Sequence, residues 1–356
     1  MSVNVTNGRV GGSPAGARAN GSGALGKADF QSSSETRWCP GCGDYAILAT
    51  LQEVLAEQGT APERVAFVSG IGCAGRFPYY MNTYGVHGVH GRAPAFATGL
   101  ALTREDLQVW VIGGDGDMLS IGANHLLHAL RRDIPIKIVL FNNQIYGLTK
   151  GQISPTSEVG KITKSTPFGS LDIPFQPLSL ALGAEASFVA RTIDRDRKHL
   201  ASVLQAAATH PGAAFVEVYQ NCPVFNDGAY AALTDKDSRE ANLIRLEHGA
   251  PICVGRERER GVMRGPDGDL VLADVSDVGE GALLVHDAHR PDPSLAFALS
   301  RLAAGPTEPT PVGVFRKVAR PSARLGFERE AAAAREGFGV RELDELLHAG
   351  DTWTVG

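Results

Sequence analysis

Residues 109–152, VWVIGGDGDMLSIGANHLLHALRRDIPIKIVLFNNQIYGLTKGQ, constrain the fold more than any other part of the chain. Residues 109–112 are a short apolar run bounded by glycine, as a strand buried on both faces of a parallel sheet should be. Gly113, Gly114 and Gly116 then permit a tight turn and a close approach of backbone to a ligand. From residue 118 to residue 130 apolar side chains recur at helical spacing (Met118, Ile121, Leu126, Ala129, Leu130), and Arg131 and Arg132 suit the negative end of that helix. Residues 136–141 read as a second strand, followed at once by Asn142 and Asn143. Asp115 and Asn143 therefore stand at the carboxyl ends of two parallel strands, where open α/β sheets bind ligands. The expected fold class is α/β: an open, mostly parallel sheet with helices on both faces.

An aspartate carboxylate and an asparagine amide oxygen are hard ligands suited to Mg²⁺, which otherwise keeps waters and phosphates. The helix starting near Asp117 offers free backbone N–H groups to a phosphate. A lone GDG also occurs at βα turns of unrelated nucleotide-binding folds. With NNQIYG placed after the next strand, the pattern resembles the thiamine-diphosphate fingerprint. That resemblance implies Asp115, Asn143 and the carbonyl of Ile145 as Mg²⁺ ligands.

The 356 residues, 43% hydrophobic and 21% charged, suit one large or two modest domains with a sizeable core. A net charge of -5 leaves no basic footprint for nucleic acid. No apolar run is long enough to span a membrane, so neither nucleic acid nor membrane is expected as a partner. Residues 1–30 are rich in Gly, Ser, Ala and Asn without an apolar h-region; they are expected to form a disordered tail, not a secretion signal. A cytoplasmic location follows as an expectation. After the tail, residues 31–250 should form the cofactor-binding α/β domain and residues 251–356 an irregular C-terminal extension used in subunit docking.

Five cysteines occur, at 39, 42, 73, 222 and 253, and an odd count argues against a disulfide framework and for metal or redox chemistry. Cys39 and Cys42 form a CPGC turn before a helix over 44–57. Cys73 lies in a Gly-rich loop after a strand over 64–69; a loop with His87, His90 and Arg92 and a helix over 94–102 follow. Downstream are a strand over 184–191, a helix over 195–209 and a strand ending at Tyr219, directly before Cys222. Four cysteines in three loops are thus candidates to meet at the carboxyl edge of the sheet. A CxxC alone fits zinc, a dithiol redox pair or a cluster; four thiolates suit a [4Fe–4S] cluster, and zinc accepts the same set. Lys150, seven residues after Asn143, lies on the loop leaving the metal site and should direct its ammonium near the ligand.

Together WCPGCGDY, GIGCAGRFP, HGRAPAFATG, GGDGDMLSIGANHLLHALRR, FNNQIYGLTKGQISPTS and NCPVFND span residues 38–227. In that order they closely resemble the β subunits of 2-oxoacid:ferredoxin oxidoreductases, particularly the 2-oxoglutarate type. The resemblance implies a [4Fe–4S] cluster on Cys39, Cys42, Cys73 and Cys222, deciding against zinc and leaving Cys253 an ordinary thiol. It implies that Gly116, Asp117, Gly147 and Leu148 approach the diphosphate, and that Ile71, Gly72, Cys73, Ala74 and His90 lie along the cofactor. His90 and Lys150 are the implied catalytic side chains, Lys150 pairing with the distal carboxylate of 2-oxoglutarate. Relatives restricted to small 2-oxoacids tend to carry glycine at that position. The implied reaction converts 2-oxoglutarate, coenzyme A and oxidised ferredoxin to succinyl-CoA, CO2 and reduced ferredoxin. A pyruvate or broad 2-oxoacid β subunit is the alternative, and a non-oxidative thiamine-diphosphate decarboxylase a more remote one. A separate α subunit is implied, because only the diphosphate-gripping half of a thiamine-diphosphate site is legible here.

Overall fold

The computed structural model describes residues 24–302, 309–321, 323–340 and 342–355. Six parallel strands make the body of one sheet: β1 (Val65–Ser69), β2 (Tyr84–His87), β3 (Gln108–Gly114), β4 (Ile136–Asn142), β5 (Phe188–Ile193) and β6 (Ala214–Tyr219). Further on come β7 (Leu243–Leu246), β8 (Cys253–Val254), β9 (Arg260–Arg264), β10 (Leu270–Asp274) and β11 (Thr310–Lys317). The eight-stranded sheet runs in the order β2-β1-β3-β4-β6-β5-β11-β7, and β8, β9 and β10 form a separate antiparallel sheet. The chain moves outward from β1 to β2 and then returns to the other side of β1 at β3. That reversal opens a crevice beyond the carboxyl ends of β1 and β3.

Helices cover both faces, and this burial explains the unbroken apolar runs. Val109 and Val111 of β3 face a core that includes α2 (Ala93–Thr103), α4 (Ala123–Arg131) and α5 (Pro177–Gly183). The alternate residues Trp110 and Ile112 face α1 (Asp44–Glu57) and α6 (Arg197–Ala208). Asp196 caps α6, its carboxylate accepting from the His199 N–H.

The structure departs from the sequence reading in four places. The helix expected over 118–130 is two, α3 (Asp115–Leu119) and α4, interrupted at residues 120–122. The cause is tertiary: Gly122 packs against Gly91 so closely that a Cβ on Gly91 would lie 2.5 Å from the Gly122 nitrogen. The strand expected from residue 184 begins at Phe188, after α5 and a left-handed Glu185. Residues 1–23 of the expected tail lie outside the described residues, but the tail does not reach residue 30: Lys27–Phe30 form a 3₁₀ turn and Phe30 is fully buried in the core beside α1. Finally, the region after residue 250 is not irregular. β11 inserts into the main sheet between β5 and β7, antiparallel to β5. Its Arg316 is buried and donates to the carbonyls of Ala186 and Pro291. Residues 280–282 form a 3₁₀ turn, and Val285 bridges to Pro251.

Candidate active site

Loops following β1, β3, β4 and β6 open on one rim of the sheet, and side chains from each tie them together. Asp115 starts α3 and is 2% exposed. Ser154 Oγ and Thr156 Oγ1 each donate to its Oδ2 at 2.5 Å. The Thr156 hydroxyl also lies 3.0 Å from Asn142 Oδ1, but it has one proton, and the shorter contact to the carboxylate takes it. Burial lifts the Asp115 carboxyl to about 6, the hydroxyl donors opposing the rise. A buried carboxylate held by hydroxyls, without a salt-bridge partner among the described residues, is suited to a divalent cation. Asn143 supplies a second oxygen: its Oδ1 accepts from the Ile145 N–H at 3.2 Å, while its Nδ2 donates to Gln220 Oε1 at 2.8 Å.

The Asp117 side chain ties neighbouring loops together. Its buried Oδ1 accepts from the Ile71 N–H at 3.0 Å, the Gly91 N–H at 2.8 Å and His90 Nδ1–H at 2.5 Å. It therefore clamps the loops after β1 and β2 onto α3. With Nδ1 donating, the His90 tautomer leaves Nε2 for other partners. Its ring lies 6.4 Å from that of Tyr146, whose hydroxyl donates to the Gly116 carbonyl at 2.9 Å.

The cysteines gather beside this pair of loops. Trp38 Nε1 donates to the Cys73 carbonyl at 2.8 Å, and the Gly43 N–H donates to the Asn221 carbonyl at 3.1 Å. A Cβ placed on Gly147 would sit 3.6 Å from Cys222 Sγ and 3.8 Å from Cys73 Sγ. Burial pushes the Cys42 thiol well up and the Cys73 thiol to about 11. Asp44, Cys222 and Cys73 add to the effect at Cys42, and Asp44, Cys222 and Cys39 at Cys73. Each of the four cysteines thus enters this mutual electrostatic neighbourhood. All five cysteines are free thiols, and Cys253 lies apart on β8. Among the described residues, no three His, Cys, Asp or Glu side chains close in on a point as a single metal ion requires.

Lys150 occupies a conformation that its residue type disfavours. Its N–H donates to the Gly147 carbonyl at 3.0 Å and the Gly151 N–H to the Tyr146 carbonyl at 2.9 Å. This bonding closes a helical turn, and Lys150 takes the left-handed position, φ 75°, usually given to glycine. Its exposed ammonium meets no acceptor among the described residues.

Residues 70–218 match the C-terminal thiamine-pyrophosphate-binding domain of thiamine pyrophosphate enzymes. The 2-oxoglutarate oxidoreductase subunit KorB of Mycobacterium tuberculosis is 56% identical over 329 residues, covering 92% of this chain and 88% of that protein. The chain belongs to the β subunits of the 2-oxoacid:ferredoxin oxidoreductases. The β subunit of 2-oxoacid:ferredoxin oxidoreductase 1 from Aeropyrum pernix is 43% identical, with 62% of this chain and 68% of that one covered. A solved 2-oxoglutarate:ferredoxin oxidoreductase from Magnetococcus marinus, with 2-oxoglutarate, coenzyme A and succinyl-CoA bound, superposes with a TM-score of 0.71. It is 30% identical over 92% of this chain and 96% of that chain.

Within this oxidoreductase β subunit, the sequence reading missed Ser154, Thr156 and Gln220. Three hydroxyls in SPTS was the available signal for the first two. Gln220 carried only its place beside Cys222.

Proposed function

We propose that this β subunit serves a 2-oxoglutarate:ferredoxin oxidoreductase, binding thiamine diphosphate and Mg²⁺ next to a [4Fe–4S] cluster. One observation carries the reading: Gly147, expected at the diphosphate, lies against the sulfurs of Cys73 and Cys222. Four residues before it stands Asn143, a candidate metal ligand. Diphosphate loop and thiols therefore share one wall.

The donors fit the groups. Asp115, Asn143 and the Ile145 carbonyl would hold Mg²⁺, hard oxygens for a hard cation. Gly116, Asp117, Gly147 and Leu148 would line the diphosphate, with the Asp117 carboxylate also holding the loops after β1 and β2. Ile71, Gly72 and Ala74 on one of those loops would lie along the cofactor, and His90, its Nδ1 held by Asp117, would have Nε2 for it. Cys39, Cys42, Cys73 and Cys222 would hold the cluster. Zinc has no redox chemistry, whereas electron delivery to a ferredoxin needs a one-electron carrier beside the cofactor. When bound, thiamine diphosphate supplies the carbanion chemistry and electron sink that decarboxylation of a 2-oxoacid requires.

Lys150 supports 2-oxoglutarate over pyruvate. A lysine kept where glycine is easier needs a compensating role, and an ammonium can bind the distal carboxylate that pyruvate lacks. The partner α subunit has an exposed surface to cover: Phe168 is 99% exposed, Leu171 91% and Ile173 86% on the loop that follows SPTS, and Ile71 and Leu148 are exposed near the cofactor. Coenzyme A as acyl acceptor and ferredoxin as electron acceptor complete the reaction, placed in the cytoplasm. Among the described residues no helix is long and apolar enough to cross a membrane.

The test is an anaerobic assay of this chain co-purified with its α subunit. Ferredoxin reduction dependent on 2-oxoglutarate and coenzyme A, far exceeding that with pyruvate, supports the reading. Equal rates with both substrates would assign the chain to the broad-specificity class.

A further inference from the structure

The metal-binding loop and the thiols are joined by a single side chain. Gln220 follows β6 directly and is 1% exposed. Its Oε1 accepts from Asn143 Nδ2 at 2.8 Å. Its Nε2 donates to the Asn221 carbonyl at 2.6 Å and to Cys42 Sγ at 3.3 Å. Its own N–H donates to the Asn142 carbonyl at 2.9 Å, which anchors the residue to the end of β4.

Backbone groups fix the orientation of both amides. The Ile145 N–H needs an acceptor, so Asn143 must present Oδ1 to it and Nδ2 to Gln220. Gln220 must then offer Oε1 to Asn143. At the other end, the Asn221 carbonyl can only accept, so it faces Nε2 and not Oε1, which sets Nε2 beside Cys42. Flipping either amide would bring two donors or two acceptors together.

We propose that Gln220 is a positioning residue bridging the two cofactor sites: it aims the Asn143 amide oxygen at the cation and, by donating to Cys42 Sγ, raises the reduction potential of the cluster. The inference rests on the metal and cluster assignments made under the proposed function. At Asn143 the bond removes the amide's rotational freedom, so that Oδ1 faces the metal before the metal arrives. At Cys42 an N–H···S bond stabilises negative charge on the sulfur and favours the reduced cluster, which carries one more electron. Both effects act through one buried planar group with no slack at either end.

Two variants separate the ends. Gln220→Leu keeps the bulk and removes both bonds. Gln220→Glu keeps an acceptor for Asn143 and removes the donor to Cys42. Each is made in the full chain co-purified anaerobically with its α subunit, and neither measurement uses turnover. The midpoint potential is read by EPR-monitored titration with dithionite. Thiamine diphosphate affinity at fixed Mg²⁺ is read by calorimetry after removal of both by dialysis against chelator.

Gln220→Leu should shift the oxidised/reduced equilibrium about tenfold toward oxidised, a fall of about 59 mV for one electron. It should also weaken cofactor binding about tenfold or more. Gln220→Glu should lower the potential at least as far but bind cofactor within about threefold of wild type. An unchanged potential in Gln220→Leu, or unchanged cofactor affinity in that variant, overturns the bridge. Loss of iron from both variants would make Gln220 a structural brace and also overturns it. A wild-type complex without iron on this chain would instead remove the cluster assignment, and the bridge with it.

Discussion

Replacing Lys150 with glycine should move stability and specificity in opposite directions. Lys150 sits at φ 75°, and a left-handed backbone costs an ordinary L-residue about 1–2 kcal/mol. Glycine removes that strain but loses about 0.5–1 kcal/mol in extra unfolded-state entropy. A net gain of roughly 0.5–1 kcal/mol remains, or roughly 1–3 °C in Tm for a domain of this size. Under the role proposed for Lys150, the same change deletes a charge-assisted bond to the distal carboxylate, about 1.5–3 kcal/mol. That corresponds to a loss of about 10- to 150-fold in kcat/KM for 2-oxoglutarate. Pyruvate, which has no second carboxylate, should keep its rate within about twofold. The assay is reduction of ferredoxin by the αβ complex with each substrate, beside thermal unfolding of the same preparations. Equal losses on both substrates, or a Tm that falls, would refute the assignment of a strained lysine retained for substrate.

Thr156→Val keeps shape but removes one of the two hydroxyls on Asp115, and should weaken Mg²⁺ and thiamine diphosphate binding about 10- to 100-fold by calorimetry, with Thr156→Ser restoring it. Unaltered binding in the valine variant would show that the hydroxyl does not orient the carboxylate. Acid sensitivity should centre on His210, which burial and the neighbouring Lys137 hold near 4. A depressed histidine contributes stability present above pH 6.5 and lost as pH falls from 6.5 towards 4, up to about 3 kcal/mol. Urea midpoints at pH 7 and pH 4.5 should therefore converge in His210→Gln relative to wild type; parallel shifts would contradict this.

Much of the site was legible because its chemistry is local. Gly113 and Gly114 end β3, Asn142 ends β4 with Asn143 directly after it, and apolar runs mark both strands. What escaped depends on contacts between segments distant in sequence. The break between α3 and α4 comes from Gly91 crossing Gly122, while the apolar periodicity runs on through Ile121. The Asp117 carboxylate binds two backbone N–H groups more than 25 residues upstream, a contact that no local pattern announces. β11 contains Pro311, Gly313, Arg316 and Lys317 and lacks a strand pattern. It is held by pairing with β5 and by the buried Arg316, which donates to the carbonyls of Ala186 and Pro291 and pairs with the Glu185 carboxylate at 3.1 Å. Gln220 was illegible for the same reason: its partners, Cys42 and Asn143, lie 178 and 77 residues away.

The most direct test of the shared wall between diphosphate and thiols is iron and visible absorbance in the anaerobic αβ complex carrying Cys222→Ser. Wild type should hold about four irons on this chain, with a broad visible band that bleaches on adding 2-oxoglutarate and coenzyme A. The variant should lose the iron and the bleaching while still binding thiamine diphosphate. Full iron content and unchanged bleaching in Cys222→Ser would contradict the account.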